Sequence, residues 1–164
     1  MVNGTKVRRA ETCTGNSAVN YQVMDFLTLY RADPIEQGRI VEVGIPAKSV
    51  AMVAKRMAVT KSCLMEMLGL SPASVNRRAR DIKPLSAVDS ALVLGLLRLV
   101  GQIQVMVGES GDSAGFDALS WVARWLQRPL PAFGGGLPAE FMNTTTGQLS
   151  VSTMMARMQA GAYA

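Results

Sequence analysis

The stretch TKSCLMEMLGLSPASVNRRAR, residues 60–80, carries the strongest fold signal in this sequence. Thr60 is a typical N-cap for a helix over residues 61–68, and Gly69 favours the left-handed conformation that ends a helix. Ser71 is a second N-cap and is followed directly by a proline, which suits the first position of a helix. Two helices joined by three residues predict a helix-turn-helix.

The second helix of this motif is predicted to have one buried and one cationic face. At 100° per residue, Val75 lies at the centre of the buried face, with Ala79 and Ile82 close to it. The remaining surface carries cationic and hydrogen-bonding side chains that suit phosphates and base edges in a major groove. The candidate DNA-binding residues are Ser74, Asn76, Arg77, Arg78, Arg80 and Lys83. Plain packing or protein docking by the same motif is the alternative.

Positive charge is concentrated around this motif. The net charge is +5, and residues 48–83 hold eight basic side chains against two acidic ones. Residues 1–47 are balanced, whereas residues 109–164 hold three basic and four acidic side chains. A local cationic surface indicates a polyanionic partner, with an ordinary solvated face as the alternative. Promoter DNA is therefore an expected partner.

Composition excludes several classes of function. Hydrophobic residues make up 49% and charged residues 18% of the 164 residues, which is typical of a globular protein. The sequence has no histidine, and its two cysteines, Cys13 and Cys63, are far apart. Catalysis by imidazole is excluded, and no metal site, cofactor or disulfide framework is expected. We therefore expect a protein that is not an enzyme. No signal peptide pattern is present, so we expect it in the cytoplasm.

Residues 86–107 predict a long helix that is apolar almost all round, capped by Ser86. A helix that is buried on every side lies at the centre of a core or is shared with a partner subunit. We expect a homodimer, because two-fold symmetric proteins read two half-sites; a central core helix in a monomer is the alternative. Arg98 and two glutamines interrupt the apolar run, so a membrane span is not expected. The candidate dimer interface is Leu92, Leu96, Leu99 and Ile103.

The remaining segments predict further helices and no sheet. The Asp33-Pro34 pair is expected to close the first of them, and the third carries both tryptophans. Residues 129–138 are too rich in proline and glycine for a helix or a central strand and predict a loop. Thr145 or Thr146 is the expected cap of the last helix. These helices are expected over residues 21–30, 46–57, 113–127 and 145–160, and the fold class is all-α.

A series of small, aromatic and other residues follows a recognisable order and spacing along residues 45–164: Leu68-Gly69-Leu70-Ser71, Arg77-Arg78, Leu85-Ser86, Ala118, Trp125-Leu126, Pro129, Pro131-Ala132, Gly134, Pro138, Thr146-Gly147, Val151, Arg157-Met158, Gly161 and Tyr163. This series resembles the Xre/MbcA/ParS-type antitoxins. The resemblance implies an Xre-like helix-turn-helix bundle followed by a small helical toxin-binding domain, with the helix-turn-helix and dimerisation region at 45–108 and the toxin-binding domain at 109–164. Residues 1–44 lie outside the resemblance, and their composition predicts an N-terminal arm and a short helix.

The resemblance also implies a function. It implies a type II antitoxin, without enzyme activity, whose partner is a cognate toxin with a RES domain that uses NAD. The antitoxin C-terminus would plug the NAD pocket of the toxin, and the helix-turn-helix would repress the antitoxin's own promoter. The toxin-binding positions implied are Trp125, Pro131, Gly134, Arg157, Gly161, Tyr163 and Ala164. From the residues alone, a free-standing dimeric transcription regulator without a toxin partner is the alternative.

Overall fold

The computed structural model describes residues 25–111 and 114–161. Within these two ranges the chain forms α-helices and short 3-10 turns without a β-sheet, which confirms the all-α prediction. The α-helices are α1 (Phe26–Arg31), α2 (Pro34–Val43), α3 (Ser49–Arg56), α4 (Lys61–Met67), α5 (Pro72–Arg80), α6 (Ala87–Ser110), α7 (Ala118–Leu126) and α8 (Thr145–Gln159). The 3-10 turns are Pro131–Phe133 and Pro138–Phe141.

The long helix α6 is the centre of the fold. Helices α1, α2, α7 and α8 all pack against it, and Leu96, Leu97 and Val100 are completely or almost completely buried. Among the described helices, α6 is the one whose length and apolar composition could span a membrane. More than half of its most apolar window is buried inside this protein, as expected of a core helix.

The helix-turn-helix prediction is confirmed by α4 and α5. The Thr60 side chain accepts a hydrogen bond from the Cys63 backbone N–H at 3.1 Å, and the Ser71 hydroxyl accepts one from the Ser74 N–H at 3.4 Å. Gly69 has φ +64°, the left-handed conformation that the turn requires. The turn leucines Leu68 and Leu70 and the α5 residue Val75 are buried in the same hydrophobic core.

Some helix boundaries differ from those predicted. Asp33-Pro34 follows the end of α1, as predicted, but it also begins a further helix: the Asp33 carboxylate caps α2 by accepting from the Glu36 N–H at 2.9 Å. The cap of α8 is Thr144, whose hydroxyl accepts from the Gly147 N–H at 3.0 Å. Asp117 caps α7, which therefore begins five residues later than predicted.

Ile82 was wrongly placed on the buried face of α5. It is 77% exposed and has φ +55°. Helix α5 ends at Arg80, and the backbone N–H of Lys83 turns back to the Arg78 carbonyl at 2.8 Å. The helical projection therefore no longer applies at Ile82, which points away from the core.

Buried amide side chains fix α8 against α6. The Gln148 side chain donates hydrogen bonds to the carbonyls of Leu92 at 2.9 Å and Met142 at 2.8 Å. Gly95 provides the space for it, since a Cβ at that position would lie 1.7 Å from Oε1 of Gln148. One turn further along, the Gln102 amide donates to the carbonyl of Ser152 and accepts from its hydroxyl. The last helix is therefore tied to the core helix at two levels.

The C-terminal part of the chain also contacts the helix-turn-helix part away from α6. Gly69, in the turn, packs against Asn143. The hydroxyl oxygen of Ser120, in the first turn of α7, lies 3.3 Å from the carbonyl oxygen of Arg56. The two parts are thus joined through a common core helix and through direct contacts at its side.

Candidate DNA-binding and toxin-binding surfaces

Helix α5 presents part of the predicted cationic surface to solvent. Arg77, Arg80 and Lys83 are exposed, and Arg80 has a long ion pair with Asp81, 3.9 Å from Nε to Oδ1. Exposed guanidinium and ammonium groups in a recognition helix and just after it can contact phosphates. These three residues are exposed, as contacts with DNA would require, and their role stays a prediction.

Arg78 has a different environment from its neighbours. Its Nη1 donates to the carbonyl of Pro84 at 2.9 Å, and its Nε is buried with no hydrogen-bond partner among the described residues. The side chain spans the end of α5 and the segment that leads to α6. Its first role is therefore structural, and sequence periodicity could not reveal this, because the partner is a backbone oxygen six residues away.

Asn76 and Ser74 are also engaged within the motif. The Asn76 side-chain oxygen accepts a hydrogen bond from the Nζ of Lys61, at the start of α4. Ser74 is half-buried. Lys61 was not among the predicted DNA-binding residues. Its position in the first turn of the first motif helix makes it a further candidate, because helix N-termini can contact phosphates. The Lys61 and Asn76 pair joins the two helices on their outer side.

The four candidate dimer residues do not form a surface in this chain. Leu92, Leu96, Leu99 and Ile103 are between 0% and 6% exposed, and the helices packed on α6 cover them. In this structure α6 is a central core helix, which was the alternative interpretation of the same pattern. A homodimer stays a prediction, but it would need a different surface.

The predicted toxin-binding residue Trp125 belongs to an aromatic cluster on α7. Its ring stacks on Trp121 with centroids 6.1 Å apart and planes at 13°, and Phe116 lies 6.3 Å from Trp121. Trp125 is 7% exposed and Trp121 is half-buried. Arg124 and Arg128 are exposed and line a small cleft of about 100 Å³ together with the two tryptophans. We call these four residues the Trp-Arg cleft.

Pro131 and Gly134 lie in an exposed, internally bonded loop beyond this cleft. Leu130 closes the loop, because its N–H donates to the Gly136 carbonyl at 3.1 Å and its carbonyl accepts from Gly135 at 3.0 Å. Gly134 has φ +64°, which favours glycine. The loop predicted from composition is confirmed, and the 3-10 turn Pro131–Phe133 lies within it.

The end of α8 is exposed. Arg157 and Gly161 both lie on the surface, and Gly161 has φ +72°, a left-handed stop after the last helical turn. Tyr163 and Ala164, the other two residues of the predicted plug, lie outside the described residues. Arg157 and Gly161 are therefore placed next to the segment to which the resemblance assigns the plug.

One acidic residue near these surfaces, Asp117, caps a helix. The pKa of Asp117 is lowered, mainly because its carboxylate accepts the hydroxyl of Ser120 at 2.7 Å, while partial burial opposes the shift. In the ranges 25–111 and 114–161, no group of three or more cysteine and acidic side chains is placed to hold a metal ion. The described surfaces thus offer cations, aromatic rings and backbone loops, which suit binding to other macromolecules.

Two family models match this chain. An antitoxin Xre-like helix-turn-helix domain matches residues 36–98, and an antitoxin Xre/MbcA/ParS C-terminal toxin-binding domain matches residues 114–161. A protein from Sphingobium sp. (strain YBL2) named Prs ADP-ribosylating antitoxin is 40% identical over 139 residues, which cover 85% of this chain and 87% of that protein. The chain belongs to the Xre/MbcA/ParS antitoxin family.

The antitoxin family gives the surfaces their context. Helices α4 and α5 lie inside the helix-turn-helix match, and the Trp-Arg cleft, the 129–138 loop and the described end of α8 lie inside the toxin-binding match. The C-terminal part is thus a toxin-binding domain, and the partner of this protein is a toxin. Family membership favours a regulator without enzyme activity.

Proposed function

We propose that this antitoxin neutralises a RES-domain toxin that uses NAD, by placing its C-terminal residues in the NAD pocket of that toxin. The observation that carries the proposal is the end of α8. The helix is held to α6 by Gln148 and Gln102, it ends at Gln159, and Gly161 beyond it lies on the surface. A fixed helix that ends on the surface is suited to deliver the residues that follow it into a concave partner.

The name of the Sphingobium relative supports the choice of toxin chemistry. It contains the term ADP-ribosylating, and ADP-ribosyl transfer takes its ADP-ribose from NAD. A tail that occupies the NAD pocket would block such a reaction directly. The toxin's RES fold follows from the resemblance and is part of the proposal.

The Trp-Arg cleft supports a separate docking surface for the toxin. Tryptophan and arginine are the residue types most enriched in interface hot spots. Trp121 offers part of its ring, and Arg124 and Arg128 flank it with exposed guanidinium groups. We assign affinity for the toxin to this cleft and inhibition to the tail.

Deletion of residues 161–164 tests this division of roles. The full-length and truncated proteins are each mixed with the purified toxin, and both complex formation and NAD turnover are measured. The truncated protein should still form the complex, but NAD turnover should be restored. The matched variant Arg124→Ala/Arg128→Ala should weaken the complex while keeping the tail. A truncated protein that binds and inhibits like the full-length chain would rule out the plug.

We further propose that the protein represses its own operon through the exposed cations at α5. Each cation that contacts a phosphate adds about one to the slope of log K against log salt. Binding to the promoter fragment is measured between low and high salt for the native protein and for Arg77→Ala/Arg80→Ala. The double variant should lose about two units of that slope, whereas Arg124→Ala, on α7, should keep it. A slope unchanged in the double variant contradicts this assignment.

A further inference from the structure

A cavity of about 360 Å³ lies between α2, α6 and α8, away from both surfaces described above. Helix α6 forms one wall with residues one turn apart, among them Leu94 and Arg98. The first half of α8 forms another wall with Thr145, Leu149 and Ser152. The volume is at the lower end of the range that is usual for small-molecule sites.

Arg98 is the charged residue of this cavity. No aspartate or glutamate is among the residues that line it. The Nε atom of Arg98 is buried and has no hydrogen-bond partner among the described residues. The two ion pairs within the described part of the chain join Arg39 to Glu36 and Arg80 to Asp81, and neither involves Arg98. A guanidinium that is partly removed from water without a counter-ion is costly, and an anion placed against it recovers that cost.

Four other polar residues of the cavity, Gln37, Gln102, Gln148 and Ser152, are already hydrogen-bonded. The Gln37 amide donates to the Ala32 carbonyl at 2.6 Å. Ser152 is paired with Gln102, and Gln148 donates to two backbone carbonyls. These bonds fix the walls in place. The hydroxyl-bearing residues Tyr30 and Thr145 also line the cavity, and Arg98 is the one charged residue in the lining.

The apolar part of the lining limits what the anion can be. Val41, Leu94 and Leu149 offer aliphatic surface, and Leu149 is 67% exposed at the rim. A bare inorganic ion would leave this surface uncovered. A molecule with one anionic head and a short apolar body would satisfy both the cation and the aliphatic wall.

We propose that this cavity is a binding site for a small organic anion, whose carboxylate or phosphate lies on Arg98 and whose apolar part lies against Leu94 and Leu149. No residue of the predicted DNA-binding or toxin-binding sets lines the cavity. The site is therefore independent of those surfaces and does not depend on the proposed function.

Titration of the full-length protein, followed by two-dimensional NMR and calorimetry, tests this site. The probes are hexanoate and phenyl phosphate, with hexanamide as the neutral analogue and inorganic phosphate as the head without a body. At least one organic anion should bind saturably, and hexanamide and inorganic phosphate should each bind at least about tenfold more weakly. Arg98→Met should weaken binding of the anion by about tenfold or more.

Matched variants separate binding from a general loss of structure. Arg39→Met removes one charge from α2 outside the cavity and should bind like the native protein. Gly38→Leu introduces bulk at a lining glycine whose Cβ would meet no atom within 4 Å, so it should fold normally and block the site. Gly108→Leu adds the same bulk at an equally open helical glycine outside the cavity and should not affect binding.

Three results would overturn the proposal. The first is that neither organic anion binds saturably to the native protein. The second is that hexanamide binds as tightly as hexanoate, or inorganic phosphate as tightly as phenyl phosphate. The third is that Arg98→Met, or Gly38→Leu if the arginine variant fails to fold, binds the organic anion as the native protein does.

Discussion

Replacement of Gly95 by alanine tests the contact that fixes α8 against α6. The new Cβ would lie 1.7 Å from Oε1 of Gln148 and 2.8 Å from its Cδ, so the glutamine side chain must move. Gln148 is 7% exposed and donates to the carbonyls of Leu92 and Met142. Because both bonds come from one nitrogen, moving the amide breaks them together.

The expected cost follows from opposing effects. The loss of two buried hydrogen bonds, with a buried amide left poorly paired, costs about 2–4 kcal/mol. Alanine in place of glycine within a helix contributes about 1 kcal/mol in the opposite direction. Gly95→Ala should therefore lower the free energy of unfolding by about 1–3 kcal/mol, with a fall in Tm of about 2–4 °C for each kcal/mol.

Equilibrium denaturation in urea measures this free energy, and Gly108→Ala is the control. Gly108 is in the same helix, but a Cβ there meets nothing within 4 Å, so Gly108→Ala should be neutral or stabilising by up to about 1 kcal/mol. In a Gln148→Ala background the clash is removed, and Gly95→Ala should no longer destabilise. The reasoning is refuted if Gly95→Ala behaves like Gly108→Ala, or if its effect is the same in both backgrounds.

Three further predictions concern capping and bracing residues. Asp117→Ala should lower the free energy of unfolding by about 1 kcal/mol at pH 7. Because the pKa of Asp117 is lowered in the folded state, this difference from the native protein should disappear as the pH falls below 3.8 and through the lowered pKa. Urea titrations across this pH range measure the difference, and a constant value would contradict the prediction. Ser71→Ala removes the cap of α5 and should lower Tm by about 2–4 °C, whereas Ser71→Gly should cost only a few tenths of a kcal/mol; equal losses in calorimetry would argue against a capping role. Arg78→Ala should lower the free energy of unfolding by about 1–3 kcal/mol, because the bond to the Pro84 carbonyl is lost. Arg77→Ala should change it by no more than about 0.5 kcal/mol. Equal denaturation midpoints for the two variants would show that Arg78 does not brace the end of α5.

The helix-turn-helix could be predicted from the sequence because its signals are local. Thr60, Gly69 and Ser71 each determine the conformation of one or two neighbouring residues, and all three act as expected. Asp33-Pro34 is also local but ambiguous, since an Asp-Pro pair can follow one helix and begin the next. Here it does both, because Ala32 ends α1 directly before it.

Long-range contacts decided what could not be predicted. The apolar faces of α6 must be buried against other helices. The sequence periodicity of α6 is the same whether those helices belong to the same chain or to a second copy. Arg78 reads as one of three cations on α5, yet its bond to a backbone carbonyl sets it apart from Arg77 and Arg80. The cavity at Arg98 is formed by helices that are distant in sequence, so no local sequence motif predicts it.

Helix α6 has a consequence for how relatives of this protein can diversify. The helix-turn-helix match ends at residue 98, midway along α6, and the toxin-binding match begins at residue 114, so the second half of the helix belongs to neither. Recombination between two such genes at this boundary would join half-helices whose surfaces must fit α1, α2, α7 and α8 at once. The helix-turn-helix half and the toxin-binding half should therefore be inherited together, and new pairings should arise by substitution within each half more readily than by recombination between genes.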